Sequence, residues 1–410
     1  MSLTRFLPVP SDRMGIIWSL LPIENTVILE YGPAGTTHFS MGLFGELGVN
    51  QENHLFTTHM SEDDVVMGDT KRLEDAIIEI DKNLCPKVIF VVASSVAAVI
   101  GSDIKGVCNY MQEKVKAKLL SLEQGGFRGD YSSGIKEIYK LLAKKVPVDN
   151  PKQQTDIVNL IGLSMGSYRA ASDKAEIERL LKKAFDIKIG AYLCGKTTIE
   201  DIENMGGALA NLVIRDEGVD AAEILCKRFG TPYIKGAPYG YKGTLKWLEE
   251  ISKIIGKPIN TECLEEINHR ISDTIYYPMN TMMLKKYKPF AVLIGEYETI
   301  TGIGNFLAEM GFSNQKKICI HSLKNIKNPD ETIMYYKSEK ERMDELKNLH
   351  KSIILGDDPS MSFCSDDNIF LRISMPVVRG AQIAEHLPIM GTRGADFITE
   401  YLEEYLQILR

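Results

Sequence analysis

One pattern recurs along the chain: a short β-branched run, apolar at consecutive positions, ends in a turn and gives way to a charged stretch whose apolar residues return every three or four positions. The runs are residues 27–29, 88–92, 157–162, 187–192, 212–214, 291–295, 318–320 and 352–355. Between them the helical spacing predicts helices over 69–83, 173–185, 221–228, 243–255, 303–311 and 338–349. A strand that is apolar on both faces has to be covered on both, and parallel neighbours need a crossover segment between them. The expected fold class is therefore α/β, with parallel sheets flanked by helices.

Two shifts in composition divide the pattern. The first is the polar stretch KKVPVDNPKQQT at 144–155, with two prolines ahead of a strand; the second is 285–289, after a long helical segment and just before the strand FAVLIGE. They suggest a first α/β domain over 1–150, a second over 151–284 that includes a connecting helix from 261, and a third over 285–410 with a C-terminal helix. A length of 410 residues suits several domains, each with its own core.

Composition narrows the partners. With 44% hydrophobic and 25% charged residues the chain is neither disordered nor fibrous, and 48 basic against 55 acidic side chains give a net charge of −7. That balance offers no footprint for nucleic acid. The longest apolar stretch, 88–101, contains Ser94 and Ser95 and is shorter than the roughly 20 residues a membrane span needs. Pro8 and Pro10 interrupt the start where a signal peptide would be apolar, so a cytoplasmic protein without a membrane partner is expected. The seven cysteines are scattered singly, the closest two being Cys85 and Cys108, so neither a disulfide framework nor a zinc knuckle is written here.

Ligands of open parallel sheets sit beyond the carboxyl ends of the strands, so the residues following each run are the candidates. After the first run come Gly32, Pro33, Gly35 and Thr36; after the second, Ser94 and Ser95; after 120–123, Gly125, Gly126, Phe127, Arg128 and Gly129. Each turn reads either as punctuation between strand and helix or as part of a cradle. Arg128 projects a planar five-donor fork suited to a carboxylate, a phosphate or a cluster edge, or else pairs locally with Asp130 or Glu123. Cys194 and Cys364 sit just beyond strands and read as rim thiols or as small buried hydrophobes. His54 and His59 stand among acids, yet Ser61–Asp64 has the form of a helix N-cap. No phosphate loop of the G-x-x-x-x-G-K-S/T kind occurs, and the one G-x-S-x-G spacing, 162–166, reads as an ordinary turn.

Taken in order, the GP-x-G turn at 32–35, the block FTTHMSEDDVVMG at 56–68 followed by Lys71 and Leu73, Ser95 with IGSDI at 100–104, and GFRG at 126–129 resemble the nitrogenase component 1 family. That family includes the two chains of the molybdenum-iron protein, their cofactor-assembly scaffolds and the dark-operative protochlorophyllide reductase subunits. Weaker likenesses continue through 238–244, 294–311, 372–376 and 391–395. The resemblance implies three Rossmann-like domains around a central cleft and subunits paired with themselves, as a homodimer, or with a paralogous chain. It also implies an oxidoreductase subunit fed by a separate ATP-driven iron–sulfur reductase, or a non-catalytic cofactor-binding or assembly scaffold of the same fold.

The departures are as specific as the match. Where the resemblance would place the interface-cluster cysteines stand the 8–11 region, Thr36 and Ser95; where it would place the thiolate that holds the catalytic cofactor stands Arg215. Neutral hydroxyls are poor substitutes for thiolate. An iron–sulfur cluster is then expected only if a partner chain or atypical ligands hold it, so the metal site is degenerate and dinitrogen reduction is excluded. The cofactor-binding candidates implied are Gly32, Gly35, Thr36, Ser95, Arg128, Gly129, Cys194, Arg215 and Arg393, the three arginines forming a basic set for an anionic organic group. Arg215 could instead pair with Asp216 or Glu217. The family's substrate-facing histidine is missing from DYSSG at 130–134, and His386 lies in the right region for a cofactor ligand without matching surroundings.

Overall fold

The computed structural model describes residues 9–35, 55–164, 166–283, 290–336, 338–376 and 386–408. Thr36, His38 and His54 lie outside the described residues. After β1 (Ile23–Glu24), the first sheet uses β2 (Thr26–Tyr31), β3 (Leu55–Thr57), β4 (Val88–Ala93) and β5 (Lys118–Leu122), in the order β3-β2-β4-β5. The second uses β6 (Ile157–Ile161), β7 (Lys188–Tyr192) and, after β8 (Thr197–Thr198), β9 (Asn211–Val213) and β10 (Tyr233–Lys235), in the order β10-β9-β6-β7. The third runs β13-β12-β11-β14-β15, from β11 (Ala291–Gly295), β12 (Gln315–Cys319), β13 (Met334–Tyr335), β14 (Ile353–Gly356) and β15 (Ile369–Arg372).

Every strand ladder among the described residues is parallel, as double-sided apolar runs require. The α/β class read from the sequence is what the chain adopts. In each sheet the strand order reverses once: between β2 and β4, between β6 and β9, and between β11 and β14. At a reversal the flanking connections leave to opposite faces and open a crevice beyond the carboxyl ends, which is where such folds place ligands.

The units are not independent. One apolar cluster runs from Val158 and Leu160 through Leu293 and Ile300 to Leu402, joining the second and third sheets; another joins Ile16, Phe90 and Ile138 to Ile161 and Val213, tying the first to the second. Between the first two sheets lie two helices that the periodicity did not single out, Asp12–Leu20 and Tyr131–Lys145. All nine residues of the former are buried, so it has no polar face to read. The two helices touch backbone to backbone: a β-carbon on Gly15 would sit 2.0 Å from the Tyr131 carbonyl oxygen, and one on Gly134 would sit 1.9 Å from that of Asp12. Asp130 caps the second helix, its Oδ1 accepting from Ser132 N at 3.1 Å.

Candidate functional site

Two places gather the sequence candidates, and the first is the carboxyl-end rim of the first sheet. Gly32 lies at its reversal, where a β-carbon would stand 2.3 Å from Ser94 Cβ; the glycine there lets the ends of β2 and β4 close up. Its N–H donates to Thr58 Oγ1 at 3.1 Å, and its carbonyl accepts from Thr57 Oγ1 at 2.9 Å. Nothing lies within 4 Å of a β-carbon on Gly35. Ser94 caps the short helix Ser95–Val99, accepting from Ala97 N, and Ser95 Oγ donates to the Gly125 carbonyl at 2.7 Å.

Gly126, at φ +97°, turns the chain so that its β-position lies 3.3 Å from Ser11 Oγ and 3.6 Å from Ser95 Oγ. Ser95 and one residue of the 8–11 region, where the resemblance implies cysteines, thus meet at one turn. Asp12 holds that turn from below: its N–H donates to Gly129 O at 3.1 Å and its Oδ2 accepts from Arg128 N at 3.2 Å. Burial raises the Asp12 carboxyl pKa, while the backbone donors, Arg128 N first among them, pull it back. The Arg128 side chain itself is exposed, beside Phe127 at 67% exposure. Ser61 does cap the helix Glu62–Met67, with Asp64 Oδ2 accepting from Ser61 N at 2.7 Å, and that helix buries none of its residues.

The second place is the junction of the three units. Arg215, one residue beyond Ile214 at the end of β9, is 5% exposed. Its Nη1 donates to Ser167 Oγ at 2.7 Å and lies 3.4 Å from Glu296 Oε1, at the end of β11. Nη2 reaches Thr299 Oγ1 at 3.4 Å, which also shares a hydrogen bond of 3.0 Å with Tyr239. The crevices of the second and third sheets therefore face each other and are bridged by a buried ion pair. Burial opposes the guanidinium charge, but Glu296, Tyr239, Glu217 and Glu298 outweigh it and raise the Arg215 pKa.

The third unit is also pinned to the first. Ser322 N donates to Asp130 Oδ2 at 2.6 Å, and Asn325 Nδ2 donates to Ser133 Oγ at 2.9 Å, so the DYSSG segment is a fastening point. Beside it His321 is fully buried, its ring edge against Tyr131 at 6.0 Å and its Nε2 accepting from Tyr297 N at 3.3 Å. Glu296, Glu298, Asp173 and His321 were not singled out from the sequence. For Glu296 and His321 the available signal was their position within two residues of a strand's carboxyl end.

The three arginines go to three different acids. Arg128 meets Asp12 through its backbone, Arg215 meets Glu296, and Arg393, with its side chain 52% exposed, lies 3.8 Å from Glu176. The charge of Arg215 is already balanced by the chain's own carboxylate, which corrects the expectation that it awaits an anionic group. Cys194 does not line a rim: it is fully buried in the core, and burial pushes its thiol up to about 12 against the pull of Ser19 and Tyr139. Cys364 is partly buried, donating to Ser360 O, and burial pushes it up to about 11. Ser164 is buried and its Oγ accepts from Gly166 N, an ordinary turn. His59, His269 and His386 are exposed. Among the described residues no three His, Cys, Asp or Glu side chains form a group that could hold a metal ion, and no helix is long and apolar enough to cross a membrane.

A family model described as nitrogenase component 1 type oxidoreductase matches residues 11–406. The chain belongs to that family. It is similar to the nitrogenase iron-molybdenum cofactor biosynthesis protein NifE of Clostridium pasteurianum, 30% identical over 70% of this chain and 63% of that protein. It is also similar to the nitrogenase molybdenum-iron protein alpha chain of the same organism, 27% identical over 60% of this chain and 47% of that one. The matches thus span about half to two thirds of these relatives' length. A solved structure titled "Nitrogenase Cp1 at pH 6.5" superposes over 99% of this chain and 94% of its own with a TM-score of 0.81 at 17% identity, a likeness of fold.

Within the component 1 family, the donor sets here do not fit the metal groups that the family pattern implies. Among the described residues, the rim offers the hydroxyls of Ser11 and Ser95, the latter committed to Gly125, and the junction offers a guanidinium locked to a carboxylate. Neither is the thiolate that iron–sulfur chemistry requires. Thiol reactivity checks the placement of the cysteines: Cys85, the exposed one, is expected to react with a disulfide reagent at the rate of a free thiol, and Cys108 and Cys194 only on unfolding. Fast labelling of Cys194 in the native protein would contradict its burial.

Proposed function

We propose that this component 1 family member is a non-catalytic assembly subunit, which docks a second component 1-type chain on the rim of its first unit, residues 1–150, and holds no metal cluster with its own side chains. The observation that carries the reading is the character of that rim. Of twelve exposed large apolar side chains among the described residues, seven lie on it or beside it: Val9, Phe56, Val66, Met67, Val99, Ile100 and Phe127. Five of them, Val66, Met67, Val99, Ile100 and Phe127, lie in the segments that follow β3, β4 and β5, and an exposed apolar surface rimmed by polar groups marks an interaction face. The name of the NifE relatives, cofactor biosynthesis proteins, supports the same class.

The test is oligomeric state and metal content of protein prepared without oxygen. Expected are a homodimer, or a complex with a paralogous chain, that dissociates in the Phe127→Glu/Val66→Glu variant, and iron well below one atom per chain in the isolated protein. Stoichiometric iron with an absorbance band bleached by dithionite, in this chain alone, would sink the reading.

One observation favours a second reading, an electron-accepting oxidoreductase subunit served by an ATP-driven iron–sulfur reductase. Ser11 and Ser95 converge at an open rim where a partner's thiolates could complete a cluster. That version predicts iron and colour only after the paralogous partner is added.

A further inference from the structure

We propose that the seam between the second unit and the chain that follows it, the third sheet and the C-terminal helix, is closed by two proton-sensitive latches, Asp173 and Glu298. Asp173 lies in the helix Ala170–Phe185 of the second unit, and its Oδ1 accepts from Ile389 N at 2.8 Å and Met390 N at 3.0 Å, which lead into the C-terminal helix Gly391–Ile408 that follows the third sheet and packs back on the second unit's helices. Glu298 lies in the helix Tyr297–Glu309 of the third unit, and its Oε1 accepts from Asp216 N at 2.9 Å in the second. Each acid thus holds backbone donors from the other side of that seam. In each, the second oxygen is buried and receives no donor from the described residues. That arrangement suits a neutral carboxylic acid, whose O–H occupies the second oxygen, and is costly for a carboxylate, which needs donors on both.

The surroundings agree with the geometry. Asp173 faces Arg215 and Arg169, with the phenols of Tyr192 and Tyr239 nearby; burial outweighs the two amide donors and both cations and carries its carboxyl up to about 7. Glu298 faces Glu217, Arg215 and His321; burial leads again, the Glu217 carboxylate adds to it, and the result is also about 7. His321 is subject to opposing pulls: burial disfavours its charge, Cys319, Glu217 and Glu298 favour it, and the Tyr297 N–H aimed at Nε2 needs a lone pair there.

The direction of the pH effect follows. Once the seam opens, the two acids return towards their ordinary values of 3.8 and 4.5, so between about 4 and 7 the closed form binds more protons than the open one. Closure is therefore strongest below about pH 4, weakens as pH rises towards 7, and changes little above it through these groups. Regulation by proton uptake at this seam is independent of what docks on the rim.

The experiment compares Asp173→Asn, Glu298→Gln and the double variant with the full-length protein. Asn and Gln keep the shape of the neutral acids and cannot ionise. Expected at pH 8 is a melting temperature above wild type by about 2–4 °C, the difference shrinking to nothing or reversing at pH 5. Exchange at the Ile389, Met390 and Asp216 amides, corrected for intrinsic rate, slows in the variants at pH 8 and not at pH 5. Any loss from imperfect fit of the amide is independent of pH, so the difference between the two pH values reads the latch. Should one variant fail to fold, the other reads its own half of the seam. A melting difference that is the same at both pH values, with unaltered amide exchange, would overturn the proposal.

Discussion

Arg215→Ala is expected to destabilise the protein by about 3–5 kcal/mol, the usual cost of removing one partner from a buried ion pair. Arg215 and Glu296 have side chains only 7% and 4% exposed, and the guanidinium is also bonded to Ser167 and Thr299. Its removal leaves the Glu296 carboxylate in a low-dielectric junction, with Glu217 and Glu298 nearby, without the guanidinium it is paired with. Denaturant unfolding of Arg215→Leu, of Glu296→Leu, and of the double Arg215→Leu/Glu296→Leu gives the coupling directly. The double variant is expected to recover most of the loss, because a well-packed apolar pair avoids desolvating two charges. A single-variant loss below about 1 kcal/mol would mean that the pair is hydrated, in the range of surface ion pairs, and that the junction is looser than the distances indicate.

The value of this experiment for function lies in where the pair sits. The resemblance implies a cofactor thiolate near position 215, and the chain instead bridges the facing crevices of two sheets there with its own opposite charges. Together with the Asp130–Ser322 and Ser133–Asn325 fastenings, the pair makes the centre of the molecule a joint between units. The surface we propose for a partner chain is the apolar rim.

The strands of the sheet centres were legible in the sequence because double-sided burial forces unbroken β-branched runs: β2, β4, β6 and β11 are each found where such a run predicts. Of the edge strands, β7 was legible as the run 187–192, and β3 and β13 were not. β3 and β13 are three and two residues long, and segments so short carry no period. The helix Asp12–Leu20 was missed for the opposite reason, since a helix buried on all sides has no amphipathic stripe. At the site, the rim turns were legible from their glycines and serines, which announce where backbone must come close. The junction was not, because Asp173, Glu296, Glu298 and His321 are ordinary polar residues in sequence. What distinguishes them is burial across unit boundaries, with hydrogen bonds that reach as far as from Asp173 to Met390.

Gly134→Ala carries the second large effect, and its sign separates packing from propensity. In an exposed helix the change should stabilise by about 0.5–1 kcal/mol, because alanine loses less entropy than glycine. At position 134 the added carbon would sit 1.9 Å from the Asp12 carbonyl oxygen and 2.8 Å from its carbon. Those are backbone atoms inside a helix buried at every position, so no side chain can rotate away, and a loss of about 3 kcal/mol or more is expected. Gly243→Ala, in the helix Gly240–Ile255 with open space at its β-position, is the control and should be neutral or stabilising. The consequence extends to the rim. Ser11 and Asp12 hold the 125–129 turn, and Asp12 is the residue that Gly134 lets approach, so forcing the helices apart withdraws the support under Phe127 and Arg128. Variant protein that still folds at low temperature should therefore lose subunit association before it loses its helical circular dichroism. Association that survives up to the melting transition would show that the rim does not depend on this helix contact.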